Sequence, residues 1–153
     1  MTEIHVLWGT ESGNTEMAAD EIVDALAAQG IDAAATELID VDVHDLAGTR
    51  ALVLTSTYDD GGLPASTEPF IAALRDEQPD LGEFTFVAFG LGDKTYEFYN
   101  KAIDDLATAL TGLGATKVGE TGYHDSASGT SPVEPAVAWA LASLDLLTPV
   151  AAN

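Results

Sequence analysis

Short apolar runs alternate along this chain with stretches in which apolar positions recur at helical spacing. The first run, Ile4-His5-Val6-Leu7-Trp8, has the length of a buried strand and stops at Gly9. Ala18, Ala19, Ile22, Val23 and Leu26 then follow helical spacing, with Glu16, Asp20, Glu21 and Asp24 mostly on the other face, which predicts a helix over 15–29 stopped by Gly30. Residues 31–38 read as a weak, alanine-rich strand and 39–48 as an acidic connection carrying His44. Residues 50–56 read as a strong buried strand, 57–66 as a loop rich in Gly, Asp and Pro, and 67–76 as a helix with Phe70, Ile71 and Leu74 facing inward. The same patterns predict a strand over 84–90, a loop over 91–100, a helix over 101–113, a strand over 115–121 and a last helix over 132–147, with residues 151–153 a frayed tail.

Five β units with helices between them imply an α/β fold in which an open parallel sheet is covered on both faces. Right-handed crossovers place every strand-to-helix loop along the carboxyl edge of that sheet. For a strand order of 2-1-3-4-5 the order switches between the first and third strands, where such folds bind ligands, so the loops after Trp8, Ser56 and Gly90 converge. With no internal repeat and no linker, residues 1–153 are expected to form a single domain.

The first of these loops, Gly9-Thr10-Glu11-Ser12-Gly13-Asn14-Thr15-Glu16, has the makings of an anion site. Free N–H groups of the helix's first turn point into it, the macrodipole favours negative charge there, and Thr10, Ser12 and Thr15 add hydroxyl donors. No Lys or Arg precedes Arg50, so a phosphate held here rests on neutral donors. That suits a single phosphate monoester better than a triphosphate with its metal. Neither G-x-x-x-x-G-K-[ST] nor G-x-G-x-x-G occurs, since Thr95 stands where the latter's third glycine would fall after Gly90-Leu91-Gly92. The simpler alternative is a turn in which Ser12 or Asn14 only caps the helix.

The other two loops concentrate aromatic rings. Tyr58 sits among Ser56, Thr57, Asp59, Asp60 and Gly61, while the third loop carries Tyr96, Phe98 and Tyr99 between Leu91-Gly92-Asp93-Lys94 and Asn100. Aromatic residues are 7% of the chain, so four of them in two loops at one edge exceed what packing requires. Two rings on opposite walls can sandwich a flat ligand, each pair contributing about 0.5–1.5 kcal/mol beyond area burial. A phosphate at one end and a planar ring at the other describe flavin mononucleotide, FMN. For Phe98 and Tyr99 the competing role is the inner face of the next helix.

Composition narrows the function further. The 153 residues are 46% hydrophobic and contain no cysteine, which allows a substantial core and excludes disulfides, thiolate metal sites and cysteine nucleophiles. Five basic residues against 26 acidic ones leave a net charge of −21, which argues against nucleic acid and anionic membranes and favours partners with basic docking faces. The excess of Asp over Glu, the scarcity of Lys and the many Ala, Thr and Val residues also resemble proteins of a salty, halophilic cytoplasm. Lacking a basic segment followed by an apolar one at its start, and any run long enough to span a bilayer, the chain is expected to be cytoplasmic. His5, His44 and His124 show no metal-ligand spacing, His124 being expected after the fifth strand, and Met17 is expected in or near the core.

On these residues the chain resembles the short-chain flavodoxins. Thr10-Glu11-Ser12-Gly13-Asn14-Thr15 matches their T-x-[ST]-G-N-T phosphate loop, and Leu91-Gly92-Asp93-Lys94-Thr95-Tyr96-Glu97 matches their third loop. That stretch and Ser56-Thr57-Tyr58 are also similar to the FMN domains of diflavin reductases. The resemblance implies the flavodoxin-like three-layer α/β/α sandwich with a five-stranded sheet of order 2-1-3-4-5. It further implies that residues 10–15 bind the ribityl phosphate, Tyr58 and Tyr96 stack on the two faces of the isoalloxazine, and the backbone around Asp59, Asp60, Gly92 and Asp93 meets its polar edge. Asp125, in the atypical segment Gly122-Tyr123-His124-Asp125, is a further candidate near the ring. One departure stands out: Asp59 replaces the glycine that in many flavodoxins flips its peptide toward N5 of the semiquinone. A non-glycine residue at positive φ costs roughly 1 kcal/mol more, Asp less than most.

The function implied is a low-potential carrier, cycling between semiquinone and hydroquinone one electron at a time, with no catalytic residue and no metal of its own. Its partners would be a reductase donor and an oxidoreductase acceptor, and its state a monomer. The alternatives are an FMN-dependent quinone or nitro reductase and a non-redox flavin-binding accessory module. A receiver domain, which shares the fold, would need an acidic cluster where this chain has Trp8-Gly9.

Overall fold

A computed structural model describes residues 3–9, 14–46, 48–56, 67–92, 101–125 and 133–147. Strands β1 (Glu3–Gly9), β2 (Asp32–Glu37), β3 (Arg50–Ser56), β4 (Thr85–Gly92), β5 (Thr116–Lys117) and β6 (Gly122–Asp125) form one sheet. Helices α1 (Asn14–Ala28), α2 (Glu68–Glu77), α3 (Lys101–Thr111) and α4 (Val133–Leu147) cover it. The order is β2-β1-β3-β4-β5, with β6 also paired to β4, and every pairing is parallel. The expected flavodoxin-like order is thus present.

Side-chain alternation along the strands builds the two faces. Ile4, Val6 and Trp8 of β1, Leu52 and Leu54 of β3, and Val87, Phe89 and Leu91 of β4 pack with Ala18, Ala19, Ile22 and Leu26 of α1 and Ala136, Ala140 and Leu147 of α4. Leu7, Ala51, Val53, Phe86 and Ala88 point the other way, toward Phe70 and Leu74 of α2 and Ile103, Leu106 and Leu110 of α3. A strand buried on both faces must be apolar at consecutive positions, which is why β3 and β4 read as unbroken runs. β2 lies at the sheet edge with Asp32, Ala34 and Ala35 exposed, hence its weak pattern.

Several expectations are corrected. Of the strand expected over 115–121 only β5 (Thr116–Lys117) forms, paired with Thr85 and Phe86, and a further strand, β6, begins after it and pairs with Phe89 through Gly92. Gly119, at φ +70°, turns the chain between them, and that conformation is incompatible with a continuous strand. His124 therefore lies within β6 and is buried there. The connection after β2 carries two short 3₁₀ turns, Leu38–Asp40 and Val43–Asp45, which put Leu38 and Val43 into the core. α3 ends at Thr111, two residues early, followed by Gly112 and by Gly114 at φ +105°. Met17 is 53% exposed, because it shares the outward surface of α1 with Glu16, Asp20, Glu21 and Asp24. Ile71 and Val23, expected to face inward, are half-buried at the borders of their clusters.

Candidate cofactor site

The strands set out the site through their register. Gly9 lies opposite Thr55, Ser56 opposite Leu91, and Gly92 opposite Asp125. The ends of β1, β3, β4 and β6 therefore stand side by side on the carboxyl edge, and the three singled-out loops leave from adjacent positions. Only residues 10–13 separate Gly9 from α1, whose N-terminus faces the same edge.

Six of the candidate residues are described, and all belong to this edge. Asn14 and Thr15 open α1, Ser56 ends β3, Leu91 and Gly92 end β4, and Asp125 ends β6. Thr10, Glu11, Ser12, Gly13, Thr57, Tyr58, Asp59, Asp60, Gly61, Asp93, Lys94, Tyr96, Phe98, Tyr99 and Asn100 lie outside the described residues. The third loop was expected from Leu91, but Leu91 and Gly92 continue β4, and the Leu91 side chain is buried among the core residues shared with α1 and α4.

Thr15 carries the chemistry most directly. It is fully buried, and its Oγ1 has no hydrogen-bond partner in the structure. A buried hydroxyl without a partner costs about 1–3 kcal/mol. In the first turn of α1 it stands where the helix's own N–H groups also lack intrahelical acceptors. An oxyanion at this helix end satisfies both. The other orphan among the described residues, Trp139 Nε1, belongs to a ring packed 5.1 Å from Phe89 in the core.

Three residues not singled out as site candidates shape the edge. Thr55 Oγ1 and Thr67 Oγ1 are 2.6 Å apart and fully buried, which joins the end of β3 to the residue before α2. A Cβ at Gly9 would overlap Thr67 Oγ1, so β1 must end in glycine for Thr67 to reach Thr55. The signal was present only as a glycine after an apolar run and a threonine at the start of a predicted helix, both of which have ordinary local meanings. On the far side, the Tyr123 hydroxyl donates to Asp104 Oδ1 at 2.9 Å and links β6 to the first turn of α3.

The histidines do not converge. His5 is half-buried in β1, and His44 is exposed with Nε2 3.1 Å from Glu77 Oε1. No group of three His, Cys, Asp or Glu side chains suited to a metal occurs among the described residues.

The family model for flavodoxin matches residues 6–139. The chain belongs to the flavodoxin family. It is 31% identical over 149 residues to Protein MioC of Escherichia coli O157:H7, an alignment covering 96% of this chain and 99% of that protein. It is 32% identical over 148 residues to NADPH-dependent diflavin oxidoreductase 1 of Cryptococcus neoformans, covering 94% of this chain but 24% of that one. Among solved structures, oxidised Flavodoxin 2 from Bacillus cereus superposes with a TM-score of 0.81 at 28% identity, over 95% of this chain and 99% of that one. Membership makes this an FMN-binding electron-transfer protein that works with redox partner proteins. The unpartnered Thr15 hydroxyl, in a helix turn preceded by no Lys or Arg, fits a phosphate ester held by neutral donors. No helix among the described residues is long and apolar enough to cross a membrane.

Proposed function

We propose that this chain is a single-domain, low-potential carrier that moves electrons one at a time between a reductase and an acceptor protein, without catalysing a reaction on a substrate of its own. Bound FMN supplies the redox chemistry, and the protein tunes its potential. Residues 10–15 hold the phosphate, with the Thr15 hydroxyl donating to it. Tyr58 and Tyr96 cover the two faces of the ring, and the backbone around Asp59, Asp60, Gly92 and Asp93, with Ser56, Thr57, Gly61, Leu91, Lys94, Phe98, Tyr99, Asn100 and Asp125 nearby, surrounds its edge.

The carboxylates at this edge and a charge of −21 oppose added negative charge on the cofactor, which lowers its potential by about 59 mV for each ~1.4 kcal/mol. The same charge speeds encounter with partners whose docking faces are basic and keeps copies of the chain apart as monomers. It also suits a salt-rich cytoplasm, where screening moderates the self-repulsion.

The buried, unpartnered Thr15 hydroxyl is the observation that carries this reading. Anaerobic stepwise reduction of the purified protein, followed by visible absorption, tests it. One FMN per chain and two resolved one-electron steps, the second below its value for free FMN, are expected. A colourless protein that ignores added FMN would defeat the reading. Reduction in a single two-electron step with NAD(P)H turnover would replace the carrier with a quinone or nitro reductase.

A further inference from the structure

We infer that Thr67 is a positioning residue for the ring-binding half of the cofactor site, acting through a hydroxyl relay that fixes the first peptide of the 57–66 segment. This rests on the FMN reading above and concerns residues that touch no cofactor.

The relay has a direction. Thr55 Oγ1 lies 3.0 Å from the Ser56 carbonyl oxygen, which can only accept, so Thr55 spends its one proton there. Thr55 Oγ1 must then accept from Thr67 Oγ1, 2.6 Å away. The chain runs from the Thr67 hydroxyl to Thr55 and from Thr55 to the Ser56 carbonyl. That carbonyl belongs to the peptide joining Ser56 to Thr57, the step by which the chain leaves β3 toward Tyr58.

Two observations argue that this arrangement is more than local packing. Thr67 occupies the N-cap of α2, where a threonine ordinarily accepts from an N–H of its own helix, yet its side chain makes no such bond. Its hydroxyl serves the long-range bond instead of the cap. The second observation is Gly9, whose missing side chain leaves the space that Thr67 Oγ1 occupies. The last residue of β1, the next-to-last residue of β3 and the residue before α2 thus meet at one buried point.

A relay that holds the Ser56 carbonyl orients the peptide by which the chain leaves β3 before ligand binds. The effect should fall on ring binding and spare the phosphate. FMN and riboflavin differ in that phosphate alone, so titrating wild type, Thr67→Val and Thr67→Ser with each, by flavin fluorescence quenching, separates the two. The expected result is that Thr67→Val weakens both ligands by one common factor, about tenfold, with altered visible circular dichroism of the bound flavin, and that Thr67→Ser restores both. Thr55→Val, which removes acceptor and donor together, is expected to reproduce the loss and serves as the test should Thr67→Val fail to fold. Unchanged binding in these valine variants overturns the proposal. So does a loss confined to FMN, or a serine variant no better than valine. A wild type that binds neither flavin overturns the FMN reading itself, and this proposal with it.

Discussion

Gly9 lies against Thr67 so closely that any Cβ on the glycine would overlap the threonine hydroxyl, with Leu38 Cδ1 3.0 Å and Thr55 Oγ1 3.2 Å away. Gly9→Ala must therefore displace Thr67 or the end of β1. We expect a loss of about 1–3 kcal/mol in stability by urea unfolding, the usual cost of overpacking a filled site. Most of that loss should vanish in the Thr67→Ala background, because the atom that collides is gone.

Thr15→Val separates stability from binding. Replacing a buried, unpartnered hydroxyl by a methyl group relieves a desolvation cost, so the apoprotein should unfold at an unchanged or higher urea concentration. FMN affinity should fall by about tenfold, equivalent to ~1.4 kcal/mol, while riboflavin affinity stays constant. Parallel titrations with the two flavins check it.

Arg50 Nη1 donates to the carbonyl oxygen of Leu147 at 2.9 Å, which ties the start of β3 to the last residue of α4. A cation at a helix C-terminus also opposes the negative end of the macrodipole. Arg50→Met keeps most of the apolar stem and removes the donors. Its expected cost is about 1–2 kcal/mol in thermal or chemical unfolding, with flavin affinity little changed because the contact is at the opposite edge of the sheet.

Salt should stabilise this protein. With 26 acidic residues against five basic ones, the folded chain repels itself, and the Debye length falls from about 10 Å at 0.1 M to about 3 Å at 1 M. Thermal midpoints measured across potassium chloride concentrations should rise steadily over that range. The association rate with a basic redox partner should fall over the same range, since screening also removes steering.

Most of the architecture was legible because it follows from burial alone. β3 and β4 lie inside the sheet under helices on both sides, so every residue from Ala51 to Thr55 is buried and the run reads plainly. Edge elements were harder. β2 buries little, and β5 and β6 are short segments whose division depends on Gly119 and on which part of β4 each one meets. Met17 was misplaced for a related reason: hydrophobicity marks what can be buried, and only the orientation of α1 decides what is.

The site divides in the same way. The T-x-[ST]-G-N-T loop and the aromatic third loop pointed to the family and to FMN from their residues, because local backbone donors and rings act through chemistry written in consecutive positions. Parallel β units and right-handed crossovers then placed those loops on one edge, as the register of Gly9, Thr55 and Leu91 bears out. What the amino-acid order could not convey is which distant atoms come within hydrogen-bonding reach. Thr67 looked like the first residue of a helix, Gly9 like a strand stop and Thr55 like strand interior. Their meeting at a single buried point, and the isolation of the Thr15 hydroxyl, arise only when the sheet and α2 close on one another, because hydrogen bonding depends on distances that sequence separation does not determine.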